Sequence, residues 1–149
     1  WNFNYWATWP TGTYRIDEDS NSSYNTVNRN MVCTKLVALT SNVAVLQKAS
    51  TYGVAGGELG PPIVVHPVYA SRTADGGNNV ITIKTMLIDG VDREVEVRAG
   101  DNLTYYCSDT VPGGTIKKVD AGNGSERTLK SHGKETGVRN AKEILLSTQ

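Results

Sequence analysis

Residues that commonly carry chemistry are scarce in this chain of 149 residues. There are two histidines, His66 and His132, and two cysteines, Cys33 and Cys107. They are too widely spaced for a zinc site of the usual kind, in which pairs of Cys or His ligands lie only a few residues apart. Ser125 follows a glycine, but the second glycine of a nucleophile elbow is missing. We therefore expect a protein that is not an enzyme and that holds no metal or cofactor. The enzymatic alternative is a serine, histidine and aspartate triad assembled in space around His132 or His66.

The chain also lacks a net charge and a long apolar run. Its 15 Lys and Arg residues balance 15 Asp and Glu residues, whereas a nucleic-acid-binding protein usually has a basic footprint. No run approaches the roughly 20 apolar residues of a membrane-spanning helix. We expect neither a nucleic-acid partner nor membrane insertion.

The two cysteines allow one disulfide. The wide separation of Cys33 and Cys107 along the chain suits a covalent link between two sheets. The alternative is a pair of buried thiols, because unbonded cysteine packs as a small hydrophobic residue. The sequence leaves both possibilities open, and with them the redox compartment.

The segment from 80 to 107 is the clearest structural signal. It is rich in the β-branched residues that suit strands, and Asp89-Gly90 is a strong hairpin signal. Three antiparallel strands are predicted, over 80–87, 91–98 and 103–107. Burial favours a three-residue loop that pairs Leu87 with Val91, because all apolar residues then share one face.

Other segments give weaker signals. The apolar block 31–48 predicts two strands, divided at Thr40, that form a hairpin facing the segment 80–107. The polar stretch 16–30 predicts a long loop, and its Asp17 and Asp19 begin a calcium-loop pattern that is then not completed. Further strands are predicted over 63–69, ending at or beside Pro67, and over 115–119 and 126–130. A helix is predicted over 137–146, capped by Thr136, with Val138, Ala141 and Leu145 on one face.

Aromatic residues are concentrated in the first fourteen positions. Five of them form our candidate partner-binding site: Trp1, Phe3, Tyr5, Trp6 and Trp9. Aromatic side chains supply large contact areas and are enriched at interface hot spots. One alternative is that this segment packs into the domain's own core; another is that the Trp faces stack on sugars.

Together these patterns predict an all-β, mainly antiparallel fold. We expect a β-sandwich or barrel-like domain over 15–149, an extended N-terminal arm over 1–14 and a short C-terminal helix. The expected function is that of a non-enzymatic structural or assembly protein, which self-associates as a homo-oligomer or docks on other protein subunits. The expected setting is a virion (capsid, decoration or tail protein) or an extracellular filament. The alternative is a secreted adhesion or carbohydrate-binding module that uses the N-terminal Trp residues.

Overall fold

The computed structural model describes residues 2–3, 6–23, 26–41, 43–51, 58–59, 63–65, 70–71 and 80–148. Strands dominate them, and one short helix follows the last strand. The first seven strands are β1 (Asn2–Phe3), β2 (Thr13–Ser23), β3 (Thr26–Leu39), β4 (Ala44–Ser50), β5 (Glu58–Leu59), β6 (Ile63–Val65) and β7 (Ala70–Ser71). The others are β8 (Val80–Ile88), β9 (Val91–Ala99), β10 (Leu103–Cys107), β11 (Thr115–Asp120) and β12 (Ser125–Lys134), before α1 (Ala141–Ser147).

Ten of these strands form one open antiparallel sheet. Its order is β5–β4–β3–β2–β12–β11–β10–β9–β8, and β6 also pairs with β4. Strands β1 and β7 form a separate antiparallel pair. The predicted all-β antiparallel class and the short C-terminal helix are confirmed.

The large sheet consists of two meanders joined at one ladder. Strands β2 to β4 form the first meander and β8 to β12 the second, and the ladder between β2 and β12 connects them. This ladder runs from Thr13 opposite Lys134 to Asn21 opposite Ser125. The last strand of the chain, β12, therefore pairs with one of the first, β2.

The polar stretch 16–30 forms strands over 16–23 and 26–30, so the predicted long loop was wrong. It forms most of the β2–β3 hairpin, in which Ile16 lies opposite Cys33 and Ser23 opposite Thr26. The reason is that the polar side chains of β2 find partners within the sheet. Asp17 binds Arg15, and Asp19 binds Arg127 of β12.

The β8–β9 hairpin adopts the register that burial argued against. Its loop has two residues, and Leu87 lies opposite Asp92 rather than Val91. Asp89 has φ 53° and Gly90 has φ 78°. Both signs match the type I′ turn, whose twist fits the strands that it joins. Turn geometry therefore decided the register.

The first core cluster shows that the sheet curls. Residues of β3 and β4 cluster with Tyr105 and Cys107 of β10 and with Trp6. In a flat sheet β3 and β10 would be about 19 Å apart, four spacings of ~4.8 Å. The sheet must therefore curl until Trp6 fills the space between its two halves. The β3–β4 hairpin therefore packs against β10, the last strand of the segment 80–107.

The helix α1 covers the other face of β3 and β4. Its Ala141, Ile144 and Leu145 form a second cluster with Ile16, Cys33 and Ala49. The helix begins later than predicted, because Asn140 and Glu143 form a capping box. The predicted cap at Thr136 is therefore wrong, and Val138 is 98% exposed.

A third cluster lies under the β8–β9 hairpin. It contains Ile88, Val95 and Val97 of the hairpin, together with Val111 and Ile116. These residues hold β9 and the turn end of β8 against the body of the domain.

The hairpin register can be tested with paired cysteines. We expect Leu87→Cys with Asp92→Cys to form a disulfide rapidly. Ile88 and Val91 flank the turn, and the next pair along the strands, Leu87 and Asp92, has Cα atoms about 4.5 Å apart. Leu87→Cys with Val91→Cys is the matched control. Both pairs are exposed, so neither disturbs the core. Faster oxidation of the control pair, read by mass spectrometry under non-reducing conditions, would show the slipped register instead.

The packing of α1 can be tested with two neighbouring leucines. Leu145 is fully buried, so Leu145→Ala should lower the free energy of unfolding by about 2–5 kcal/mol. Leu146 is 43% exposed, so Leu146→Ala should change it by only about 0.5 kcal/mol. Urea unfolding followed by circular dichroism measures both. Equal losses would contradict this placement of the helix.

Candidate association surface

Trp6 lies in the core, as in the alternative in which the N-terminal segment packs on its own domain. It is 4% exposed and belongs to the first core cluster. Trp9 is half-buried against that cluster, and its ring meets the ring of His132 edge-on at 6.1 Å. Phe3 lies in β1, which pairs with the chain's own β7. Trp1 and Tyr5 lie outside the described residues.

Arg15 and Asp17 form a buried ion pair that has a structural role. The Arg15 guanidinium donates to both carboxylate oxygens of Asp17, at 2.9 and 2.7 Å. It also donates to the carbonyl oxygens of Pro112 and Thr115. A Cβ atom on Gly113 would lie 2.9 Å from Arg15 Nη1, so the loop sits directly on the guanidinium. The hydrogen bonds to Pro112 and Thr115 hold the 108–114 loop and the start of β11 to β2.

Charged side chains of β2, β4 and β12 lie near one another beside this pair. Arg127 Nη2 donates to Asp19 Oδ2 at 2.7 Å. Burial lowers the pKa of Lys48, and the charge of Arg127 lowers it further. The carboxylates that began the calcium-loop pattern are therefore each bound to an arginine.

Of the two histidines considered for catalysis, the structure describes His132. His132 Nε2 lies 2.8 Å from Asp89 Oδ2, which ties the tip of the β8–β9 hairpin to β12. His66 lies outside the described residues. Within the described ranges, no three His, Cys, Asp or Glu side chains are grouped so that they could hold a metal ion.

The cysteines lie in different clusters. Cys33 packs beneath the helix and Cys107 packs with Trp6, and both are reduced thiols. This structure shows no disulfide between them, and each lies in a different cluster. Burial, with a smaller contribution from the charge of Asp17, raises the pKa of the Cys33 thiol to about 12.

The most unusual surface is the outer face of β8. Its alternate residues Ile81, Ile83 and Leu87, hereafter the β8 row, are 51%, 63% and 70% exposed. Thr85 completes the row, which spans about 20 Å at ~3.3 Å per residue. Single exposed apolar residues are common, but a contiguous apolar patch usually marks an interaction site.

The register explains why this row is exposed. Ile83 lies opposite Glu96, Thr85 opposite Glu94 and Leu87 opposite Asp92. The row therefore shares its face with the carboxylates of β9, while Val95 and Val97 take the buried face. The three-residue loop would have put the row in the core. The sequence signal that could have identified these exposed residues is the Asp89-Gly90 turn, because a two-residue loop at this position sets the observed register.

The same strand ends the sheet. Among the described strands, β8 pairs with β9 alone and stands last in the sheet order. An edge strand offers a row of backbone donors and acceptors to another chain. At β8 this backbone row and the apolar β8 row occur on the same nine residues.

Comparisons with known proteins add little to this picture. No protein-family model matches the chain, and no curated protein matches it. Among solved structures, it is similar to a domain from Vibrio parahaemolyticus assigned to outer membrane lipoprotein sorting. That match has 9% identity and a TM-score of 0.37, and it covers 86% of this chain and 87% of the other. A likeness this distant carries no argument about function. In the part of the chain that the structure describes, no helix is long and apolar enough to cross a membrane.

The raised pKa of Cys33 predicts a pH-dependent stability. An unfolded thiol ionises near pH 8.5, whereas the folded thiol keeps its proton until about pH 12. Between these values the unfolded chain releases a proton that the folded chain retains. The thiol's stabilising contribution therefore falls as the pH rises, by at most about 1.4 kcal/mol per pH unit.

The measurement is urea unfolding of the wild type and of Cys33→Ala across this pH range. The wild type should lose stability more steeply than the variant, which has no thiol to titrate at this position. Parallel pH profiles for the two proteins would contradict the predicted burial of the Cys33 thiol.

Proposed function

We propose that this chain is a structural protein that self-associates through the β8 edge. The observation that carries the proposal is the β8 row, an apolar strip on an edge strand that the fold of one chain leaves exposed. Covering one apolar side chain is worth roughly 1.5–3 kcal/mol. A second protein surface over the row would recover this free energy in each copy.

Charge favours a second copy as the occupant. The chain has no net charge, so two copies approach each other without overall repulsion. The carboxylates of β9 lie one strand inward from the β8 row. If two β8 edges meet, the two carboxylate rows stay three spacings apart, about 14 Å. That exceeds the Debye length of ~8 Å at physiological salt.

Other expected functions receive less support. The sugar-binding alternative needs exposed Trp faces, and Trp6 is enclosed in the core. Asp17 and Asp19, which begin the calcium-loop pattern, each bind an arginine. The virion or extracellular-filament setting stays a prediction from the sequence, as does the absence of enzymatic activity.

The proposal predicts that one charge in the β8 row weakens association strongly. We expect the wild type to associate as its concentration rises. Ile83→Lys should weaken association by more than roughly tenfold, because both copies lose an Ile side chain that association would cover. Sedimentation equilibrium over a wide concentration range measures both proteins. Since Ile83 is 63% exposed, the variant should fold normally.

The matched control is Val138→Lys, which changes an exposed valine remote in sequence from β8. It should associate like the wild type and have the same circular dichroism spectrum. A wild type that stays monomeric at every concentration would overturn the proposal, as would an Ile83→Lys variant that associates normally.

A further inference from the structure

Resting on that proposed self-association, we infer that the assembly unit is a closed two-fold dimer. In it, β8 pairs antiparallel with β8 of a second copy about an axis at Lys84. The pairing extends one sheet through both chains. Three features support this dimer: the backbone groups that β8 presents, the lengths of the edges, and the register.

The backbone of β8 presents its outward groups at the residues of the β8 row. In a hairpin with a two-residue loop, the residues that flank the loop exchange both hydrogen bonds, and bonded pairs then alternate along the strands. Ile88 and Val91 flank the loop, so Ile88, Met86 and Lys84 bond inward to β9. Ile81, Ile83, Thr85 and Leu87 therefore turn their N–H and C=O groups toward the open edge.

Edge length selects a second β8 as the partner strand. Strand β8 has nine residues. Within the described residues, the opposite edge of the sheet is formed by β5 and β6, with two and three residues. A head-to-tail contact between unlike edges would match a long strand with short ones. A β8–β8 contact matches lengths, and a surface that meets its own copy closes after two subunits.

The register follows from pairing the apolar residues. An axis at Lys84 places Ile81 opposite Leu87 and Ile83 opposite Thr85, so every apolar side chain of the β8 row has a partner. An axis at Thr85 would instead leave Ile81 opposite Asp89, which is already bound to His132. The axis at Lys84 also overlaps all nine residues of the strand.

This register brings the two Lys84 side chains opposite each other, on the face away from the β8 row. Like charges directly opposite destabilise a strand pair. Each Lys84 Nζ lies 5.9 Å from the ring centroid of its own chain's Tyr106. The ring attracts the ammonium inward along its own sheet, which separates the two charges.

The test is a scan of single cysteines on that face: Thr82→Cys, Lys84→Cys and Met86→Cys, in the full chain under mild oxidation. At the axis, Lys84→Cys places two Cα atoms about 4.5 Å apart. The copies of residue 82, or of residue 86, are then about 13 Å apart along the strands. We expect Lys84→Cys alone to give rapid dimer cross-linking. The wild type is the control, since Cys33 and Cys107 are buried.

The outcomes separate this inference from the proposed function. Equal cross-linking at 84 and 86 would place the axis at Thr85 and overturn the register. Association without preferential cross-linking at 84, or growth beyond dimers, would overturn the closed β8–β8 pair but leave self-association intact. No association in any variant would overturn both.

A second variant tests the register without a cysteine. Lys84→Thr removes the opposed charges, so the dissociation constant of the dimer should fall roughly two- to fivefold. Arg93→Thr, on the next strand and the same face, is the matched control and should leave the constant unchanged. An unchanged or weakened Lys84→Thr dimer would contradict an axis at Lys84.

Discussion

The ladder between β2 and β12 is the constraint on which the rest of the structure depends. It joins a meander near the start of the chain to one near its end, and so turns two small sheets into one. Arg15 reinforces this joint by binding Asp17 on its own strand and Pro112 and Thr115 beyond it. Removing one member of such a buried pair leaves an uncompensated charge, at a cost of about 3–5 kcal/mol.

The curl of that sheet determines whether Trp6 is buried or exposed. Bringing β3 and β10 within reach of one cluster creates a space that Trp6 fills. A residue that the sequence marks as a possible contact site thereby becomes core. The strand order leaves β8 at the end of the sheet, so the proposed contact surface lies on β8 rather than on the N-terminal segment.

A competition between turn geometry and burial decided the character of the β8 edge. Burial alone favours a slipped register with Ile81, Ile83 and Leu87 inside. The Asp89-Gly90 turn, with both residues at positive φ, sets the other register and exposes them. The loss of apolar burial in one chain is offset if association covers the row. Turn geometry in this way links a local sequence signal to the proposed assembly.

The sequence by itself determined the elements whose signals are local. The strands of residues 80–107, the division of the apolar block near Thr40 and a short terminal helix follow from side-chain pattern and turn residues within a few positions. Tertiary structure alone decided the rest. Residues 16–23 and 26–30 became strands, and Asp19 of this stretch binds Arg127, 108 residues away. Cys33 and Cys107 fell into separate cores, and β8 became an edge, because sheet order depends on pairing between distant segments. A local pattern carries no information about which distant strand will lie beside it.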